Sequence, residues 1–187
     1  MRILLGVTGG IAAYKACELV SLAKKAGHEV RVVLSANGSR FVGAATFEAL
    51  TGHPVLTDTF QISKSESDQT STIDHIEWAK WCDVACVAPL TANTLGKLAC
   101  GLADDVLSTV LMALPRGKPC VLAPAMNTEM WFHPVVQRNL GWIEAMERYS
   151  MVQPVEKSLA CGDVGLGGLA EPHEILAAIL TAAEENE

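Results

Sequence analysis

Residues 124–131 read PAMNTEMW. An ordinary loop is rich in Gly, Ser and Asp. This one is mostly apolar, with the neutral amide of Asn127 placed to make hydrogen bonds, as in the wall of a binding pocket. Three other stretches offer polar donors. Thr8-Gly9-Gly10 stands between an apolar run and a helical pattern. It reads either as a cradle of backbone amides at the positive end of a helix dipole or as a plain tight turn. Ser35-Ala36-Asn37 closes a second apolar run, and Pro89–Thr94 (PLTANT) brings Thr91, Asn93 and Thr94 to a helix start, where capping and ligand binding are both open. The TGG stretch is neither GxGxxG nor a GxxxxGK[ST] loop. The second run also lacks the Asp or Glu that holds a dinucleotide ribose. Hydroxyls and amides suit a monophosphate, so a mononucleotide is favoured over NAD.

The elements that must position these stretches follow from apolar periodicity. RILLGVT (2–8), HEVRVVLS (28–35), DVACVAP (83–89) and KPCVLAPA (118–125) are apolar on both faces, as buried parallel strands are. Helical spacing covers 11–27, closed by Gly27, part of 36–52, 73–82 with Asp74 as N-cap, most of 91–114, a stretch around 134–148, and 173–185. Residues 53–58 read as short and extended, 59–73 as a polar surface loop or flap, 151–155 as a last short strand and 159–172 as a glycine-rich loop. This alternation predicts an α/β, flavodoxin/Rossmann-like three-layer fold, a parallel sheet flanked by helices, in one domain over 1–187. Ligands of such sheets bind beyond the C-terminal strand ends, and all four polar stretches sit there.

Composition narrows the partners. The net charge of −7 argues against a nucleic acid or an anionic membrane as the main partner. No apolar run reaches the roughly 18–20 residues of a membrane span, and MRILLGVTGG reads as a first strand rather than a signal peptide. The six cysteines form no CxxC and no zinc-like cluster, so no metal is expected. Cys17, Cys82, Cys86, Cys100 and Cys120, among apolar or small neighbours, read as core residues in a reducing cytoplasm. Cys161 lies instead in the glycine-rich stretch.

The order of motifs carries a resemblance. His75 in DHIEW, PLTANTLGKLACGLADD (89–105), PAMNTEMW (124–131) and LACGDVGLGGLAEP (159–172) together resemble the homo-oligomeric flavin-containing cysteine decarboxylases. That family's motifs have the forms PASANT and PxMNxxMW. The first departs here, with Leu90 for Ala and Thr91 for Ser, which keeps the hydroxyl; the second matches fully. The resemblance covers residues 2 to about 178. It implies FMN held by Gly9, Gly10, Ile11, Ser35, Asn37, Thr91, Ala92, Asn93, Thr94 and Ala125. His75 would be the active-site base, Asn127 would bind the substrate carboxylate, and Met130 would shape the pocket. Residues 159–172 would form a clamp over the substrate, with Cys161 as proton donor. The family forms trimers that share sites across subunits, and some members form dodecamers, so a homo-oligomer is expected.

The implied reaction explains the residue types. Removing CO2 from a cysteine carboxylate leaves an electron pair with nowhere to go. A flavin that first oxidises the thiol to a thioaldehyde places a C=S acceptor β to the carboxylate. Loss of CO2 then gives an enethiol, which reduced flavin can return to the thiol. Histidine suits the base because imidazoles titrate near neutrality. A neutral asparagine orients the carboxylate without opposing its loss, as a lysine would. The implied substrate is the small molecule 4′-phosphopantothenoylcysteine of coenzyme A biosynthesis, with 4′-phosphopantetheine as product. Three alternatives stand beside this. An oxidative decarboxylase of a peptide's C-terminal cysteine stops at the enethiol, and Cys161 argues against it. A flavin prenyltransferase should lack PxMNxxMW. A regulatory relative could lose catalytic residues or carry a long acidic tail, whereas here the sequence ends in EENE. The synthetase domain fused to bacterial members is expected on a separate chain or beyond this sequence.

Overall fold

The computed structural model describes residues 1–60, 74–158 and 164–185. The first strand, β1 (Arg2–Val7), leads through Thr8-Gly9-Gly10 into helix α1 (Ala13–Lys25). Strand β2 (Glu29–Leu34) and helix α2 (Ala44–Thr51) follow, then α3 (Asp74–Trp81) and β3 (Val84–Leu90). Next come α4 (Ala92–Cys100), α5 (Val106–Met112), β4 (Cys120–Pro124), the one-turn α6 (Thr128–Trp131), α7 (Pro134–Glu144) and β5 (Tyr149–Met151). Strands β6 (Val155–Ser158) and β7 (Val164–Gly168) precede the last helix, α8 (Pro172–Glu184).

The five-stranded sheet is parallel throughout, in the order β2-β1-β3-β4-β5. This is the flavodoxin-like order, in which the chain turns back at β1/β3 and opens a crevice beyond their C-terminal ends. Apolar residues on both strand faces make the three layers. Ile3, Leu5 and Val7 of β1 join Val84, Cys86 and Ala88 of β3 in a core shared with α1, α2 and α8. Leu4, Val87 and Leu122 enter a second core with α3, α4, α5 and α7. Each fully buried Leu or Ile in these cores contributes about 1.5–3 kcal/mol of transfer free energy. Among the described residues, no helix is long and apolar enough to cross a membrane.

Several sequence expectations need correction. The helical stretch 91–114 is two helices, broken where Gly101 adopts the left-handed conformation (φ 68°). Asp105 then caps α5, and Lys97 Nζ ties Asp104 and Asp105 at 2.6 and 2.5 Å. The expected strand at 151–155 straddles two real ones, β5 and β6. The glycine-rich stretch expected as a loop contains β7, paired antiparallel with β6 in a separate two-stranded sheet. Glycines lower strand propensity, and this strand is held by tertiary contacts that no local pattern reports. Cys82, Cys86 and Cys120 are buried as expected, and burial pushes the Cys82 and Cys120 thiols up to about 11 and about 12. Cys100, however, is exposed, and Cys17 is partly buried. The expected flap at 59–73 lies almost wholly outside the described residues.

At the opposite edge of the sheet, Arg2 and Asp83 lock the starts of β1 and β3. Arg2 Nη2 donates to Asp83 Oδ1 at 2.7 Å, and the Arg2 backbone N–H donates to Oδ2 at 2.7 Å. The guanidinium beside it holds the Asp83 carboxyl below its ordinary value. A carboxylate with a depressed folded-state pKa adds stability above its unfolded pKa of about 3.9 and loses it as pH falls through the folded value. Asp83→Asn should therefore cost about 0.5–1 kcal/mol at pH 7 for this half-exposed pair, with the difference from wild type shrinking as pH falls below the unfolded carboxyl's value of about 3.9. Urea unfolding at pH 7 and in acid checks this. A gap that persists in acid would assign the cost to something other than the carboxylate's charge.

Candidate active site

The β1/β3 edge is organised by a buried threonine. Thr8, only 1% exposed, donates its hydroxyl to the Pro89 carbonyl at 2.6 Å and accepts from the Thr91 amide at 3.1 Å. One side chain thus joins the loop after β1 to the loop after β3. Thr91 in turn caps α4, its Oγ1 accepting from Thr94 N at 3.3 Å and lying 3.2 Å from Thr94 Oγ1. Beside them the β1 loop runs under the loop after β2. A Cβ at Gly9 would overlap the side chain of Asn37, so only glycine permits this approach. Between Gly9 and Ala13, the N–H groups of Gly10 and Ala13 donate within the chain. Those of Gly9, Ile11 and Ala12 have no backbone acceptor among the described residues, the usual state of donors at a helix start.

The third wall comes from the loop after β4. Ala125 N donates to Leu90 O at 3.0 Å, continuing the sheet pairing by one residue. Asn127 caps α6, its Oδ1 accepting from Glu129 N at 2.8 Å. That bond fixes the amide plane and makes Nδ2 its donor end. The β6–β7 sheet lies against this loop. Met126 N donates to Gly167 O at 2.9 Å, and Gly167 (φ 141°) sits where a Cβ would strike Met126 O. Both its backbone angle and its packing therefore demand glycine.

These walls enclose a cavity of about 360 Å³, within the ordinary range for small-molecule sites. Gly9, Gly10, Ile11, Thr91, Ala92, Ala125, Asn127 and Met130, all singled out from the sequence, line it together. Other expected site residues sit elsewhere. Ser35 Oγ accepts from Gly38 N at 3.0 Å and does not line the cavity. Asn37 packs on Gly9 from outside, Asn93 is exposed, and Thr94 is buried beneath Thr91. His75 stands in the first turn of α3, half-buried, away from the cavity lining. Its Nδ1 is buried without a hydrogen-bond partner among the described residues. Cys161 and the clamp turn around it lie outside the described residues. Trp131 is a core residue at 6% exposure, whereas Met126 lines the cavity. His133 caps α7, accepting from Val135 N at 3.2 Å, as befits a histidine with no site role.

Gly167, Gly168 and Leu169, within the stretch expected as a clamp, also line the cavity, whereas the sequence reading missed Tyr14, Lys15 and Lys157, which line it too. Lys15 was legible in principle, one helical turn beyond Ile11 on the same face. Lys157 was not, because its strand reaches the site only by docking on the loop after β4.

The Flavoprotein family profile matches residues 1–184. The chain is similar to the coenzyme A biosynthesis bifunctional protein CoaBC of Bacillus subtilis (strain 168), 47% identical over 175 residues, 94% of this chain and 41% of that protein. It is likewise similar to the probable phosphopantothenoylcysteine decarboxylase of Streptococcus mutans serotype c, 39% identical over 94% of each chain. Among solved structures, a PPC decarboxylase mutant complexed with pantothenoylaminoethenethiol superposes with a TM-score of 0.84 at 34% identity over 98% of both chains. The FMN-binding protein AtHal3 gives 0.81 at 34% identity over 98% and 97%. The chain thus spans about two fifths of the bifunctional relative.

Because the Thr8 hydroxyl hydrogen-bonds the loop after β1 to the loop after β3, its loss should be felt in stability. Thr8→Val keeps the shape but leaves the Pro89 carbonyl and the Thr91 amide unpaired, a cost of about 1–3 kcal/mol in urea unfolding. Thr8→Ser should restore most of it. Equal unfolding midpoints for Thr8→Val and wild type would show that the bridge contributes nothing.

Proposed function

This chain belongs to the Flavoprotein family, and on that premise we propose that it is an FMN-dependent decarboxylase converting 4′-phosphopantothenoylcysteine to 4′-phosphopantetheine and CO2 in coenzyme A biosynthesis. The observation that carries the reading is the convergence, in one mostly apolar cavity, of the Gly9–Ala12 loop with its unpaired N–H groups, Thr91 and Asn127. We read residues 1–187 as a single FMN-binding domain acting in the cytoplasm.

The chain's own donors fit the cofactor. The N–H groups of Gly9, Ile11 and Ala12 at the start of α1 suit a phosphate or ring edge. Thr91, Ala92 and Ala125 offer a small-residue wall, with Thr94 buried behind Thr91 and with Ser35, Asn37 and Asn93 outside the lining. Bound FMN would supply two-electron redox chemistry at the substrate thiol, before and after CO2 leaves. Asn127 would present Nδ2 to the substrate carboxylate, its orientation set by the Oδ1···Glu129 N bond. Met126 and Met130 would exclude water from that carboxylate. His75 would accept the thiol proton. Since it does not line this cavity, we assign it to the cavity of a neighbouring copy in a homotrimer, which could assemble further into a dodecamer. Cys161 is assigned the final proton donation on its place in LACGD alone.

Mass spectrometry of the products tests this directly. Wild type should release phosphopantetheine, while Cys161→Ser should accumulate a species lighter by two hydrogens. Asn127→Asp, which sets a negative charge beside the carboxylate, should retain flavin but lose about 10²-fold or more in turnover. A wild-type product that is itself the lighter enethiol would move the chain to the oxidative peptide decarboxylases. Flavin binding without any turnover would sink the decarboxylase reading.

A further inference from the structure

A base must be held in place as well as present, and a third group usually orients it. His75 has no such group on its Nδ1, which is buried without a hydrogen-bond partner among the described residues. The place of its ring is therefore set by the helix that carries it. That helix, α3, is about two turns long and leads at once into β3. His75 sits in its first turn, at the end far from that strand. Any tilt or slide of α3 moves His75 most.

The inward face of α3 is held by Trp78, Ala79 and Cys82, which enter the second core, with Trp81 half-buried against it. Apolar burial is non-directional, so it keeps the helix down without fixing its rotation or its position along its axis. A directional contact comes from the neighbouring strand. Arg31 of β2 lies on the same sheet face as Val33, which belongs to that core. Its Cζ stands 4.3 Å from the ring centre of Trp81 and 5.6 Å from that of Trp78. Both indoles thus meet one guanidinium, within the reach of cation–π attraction. Their spacing of three residues puts them one turn apart on one helix face, and His75 lies one turn before Trp78 on it. Burial holds the Arg31 guanidinium below its ordinary value, and the charges of Glu29 and Glu77 offset part of this. A partly desolvated cation between two rings is strongly attracted to both, and its flat fork can stack where an ammonium cannot.

We propose that Arg31 is a positioning residue of the reaction, pinning α3 through Trp78 and Trp81 so that His75 is held where it can take the substrate's thiol proton. This rests on the decarboxylase reading above and on its assignment of His75. Arg31 touches neither substrate nor flavin; it acts through the helix. The same residue ties the outermost strand of the sheet to the one helix that bears the base.

Two readouts test this on the flavin-loaded protein. The first is turnover of 4′-phosphopantothenoylcysteine. Arg31→Met, which keeps the stem and loses the cation, should lower kcat by about tenfold, with KM and the flavin absorbance unchanged. Trp81→Leu should do the same, and Trp81→Phe, which keeps a ring, should recover most of the rate. The double variant Arg31→Met/Trp81→Leu should be no worse than either single one, because the two share one contact. Arg31→Lys, the mildest change, should show the same pattern at smaller amplitude. The second readout needs no turnover. Diethyl pyrocarbonate labels histidine rings, and peptide mass spectrometry gives the rate at each. Arg31→Met and Trp81→Leu should speed labelling of His75 several-fold and leave His133 and His173 as in wild type. Wild-type kcat in Arg31→Met would overturn the proposal. So would a loss of kcat with unchanged labelling of His75, or labelling that rises equally at all three histidines, which is general loosening. Failure of the underlying readings would look different. Wild type would then give no product, or His75→Gln would keep full turnover.

Discussion

The buried hydroxyl of Thr8 is the joint on which the site depends. A parallel sheet that winds both ways must send its two central strands into opposite helical layers, and the crevice between them is where a ligand can enter. Here β1 feeds α1 on one side and β3 feeds α4 on the other. Nothing in the strand ladder prevents those diverging loops from separating beyond the last paired residues. Thr8 closes the gap with two bonds from one oxygen, to Pro89 O and from Thr91 N. Both partners belong to PLTANT, so the stretch that looks like a ligand motif is also held as a structural one. Thr91 shows the same double use, since capping α4 and lining the cavity require the same placement.

A second constraint acts from outside the main sheet. The β6–β7 pair does not extend the parallel ladder. It packs on the loop after β4 through the Met126–Gly167 hydrogen bond and through two glycines at positions where a side chain would collide. Docking this pair brings Lys157 to the cavity. Glu171 then joins the pair to α1 and α8 through Lys157 and Lys15. The cavity is thus assembled from the rigid sheet edge on one side and from a separately docked unit on the other. A site that must admit a ligand and then exclude water is well served by such a division.

The charge distribution follows the same plan. The chain carries a net charge of −7, yet the titratable groups lining the cavity are Lys15, Lys157 and Tyr14. Acidic groups near it serve as holders, as Glu171 does, or stand outside it. An acidic surface around a cationic pocket keeps the protein soluble while confining attraction for anions to one place.

The sequence by itself determined the sheet. Apolar runs readable on both faces at 2–8, 28–35, 83–89 and 118–125 demand burial between helices, and burial of that kind leaves few arrangements. It also marked Gly9, Gly10, Thr91 and Asn127 as donors in loops just beyond strands, while Ala125 was marked only through the family resemblance. Only tertiary structure decided which of the flagged residues share one cavity. Ser35, Asn93 and Thr94 carry the same chemistry as Thr91, yet their side chains are spent on a turn, exposed to solvent or buried beneath a cap. Only tertiary structure made a strand of glycine-rich 164–168, and only it brought Lys157 of β6 and Glu171 at the start of α8 to Lys15 of α1. Local sequence reports the periodicity and chemistry of neighbours along the chain, whereas these placements depend on long-range packing that no short window contains.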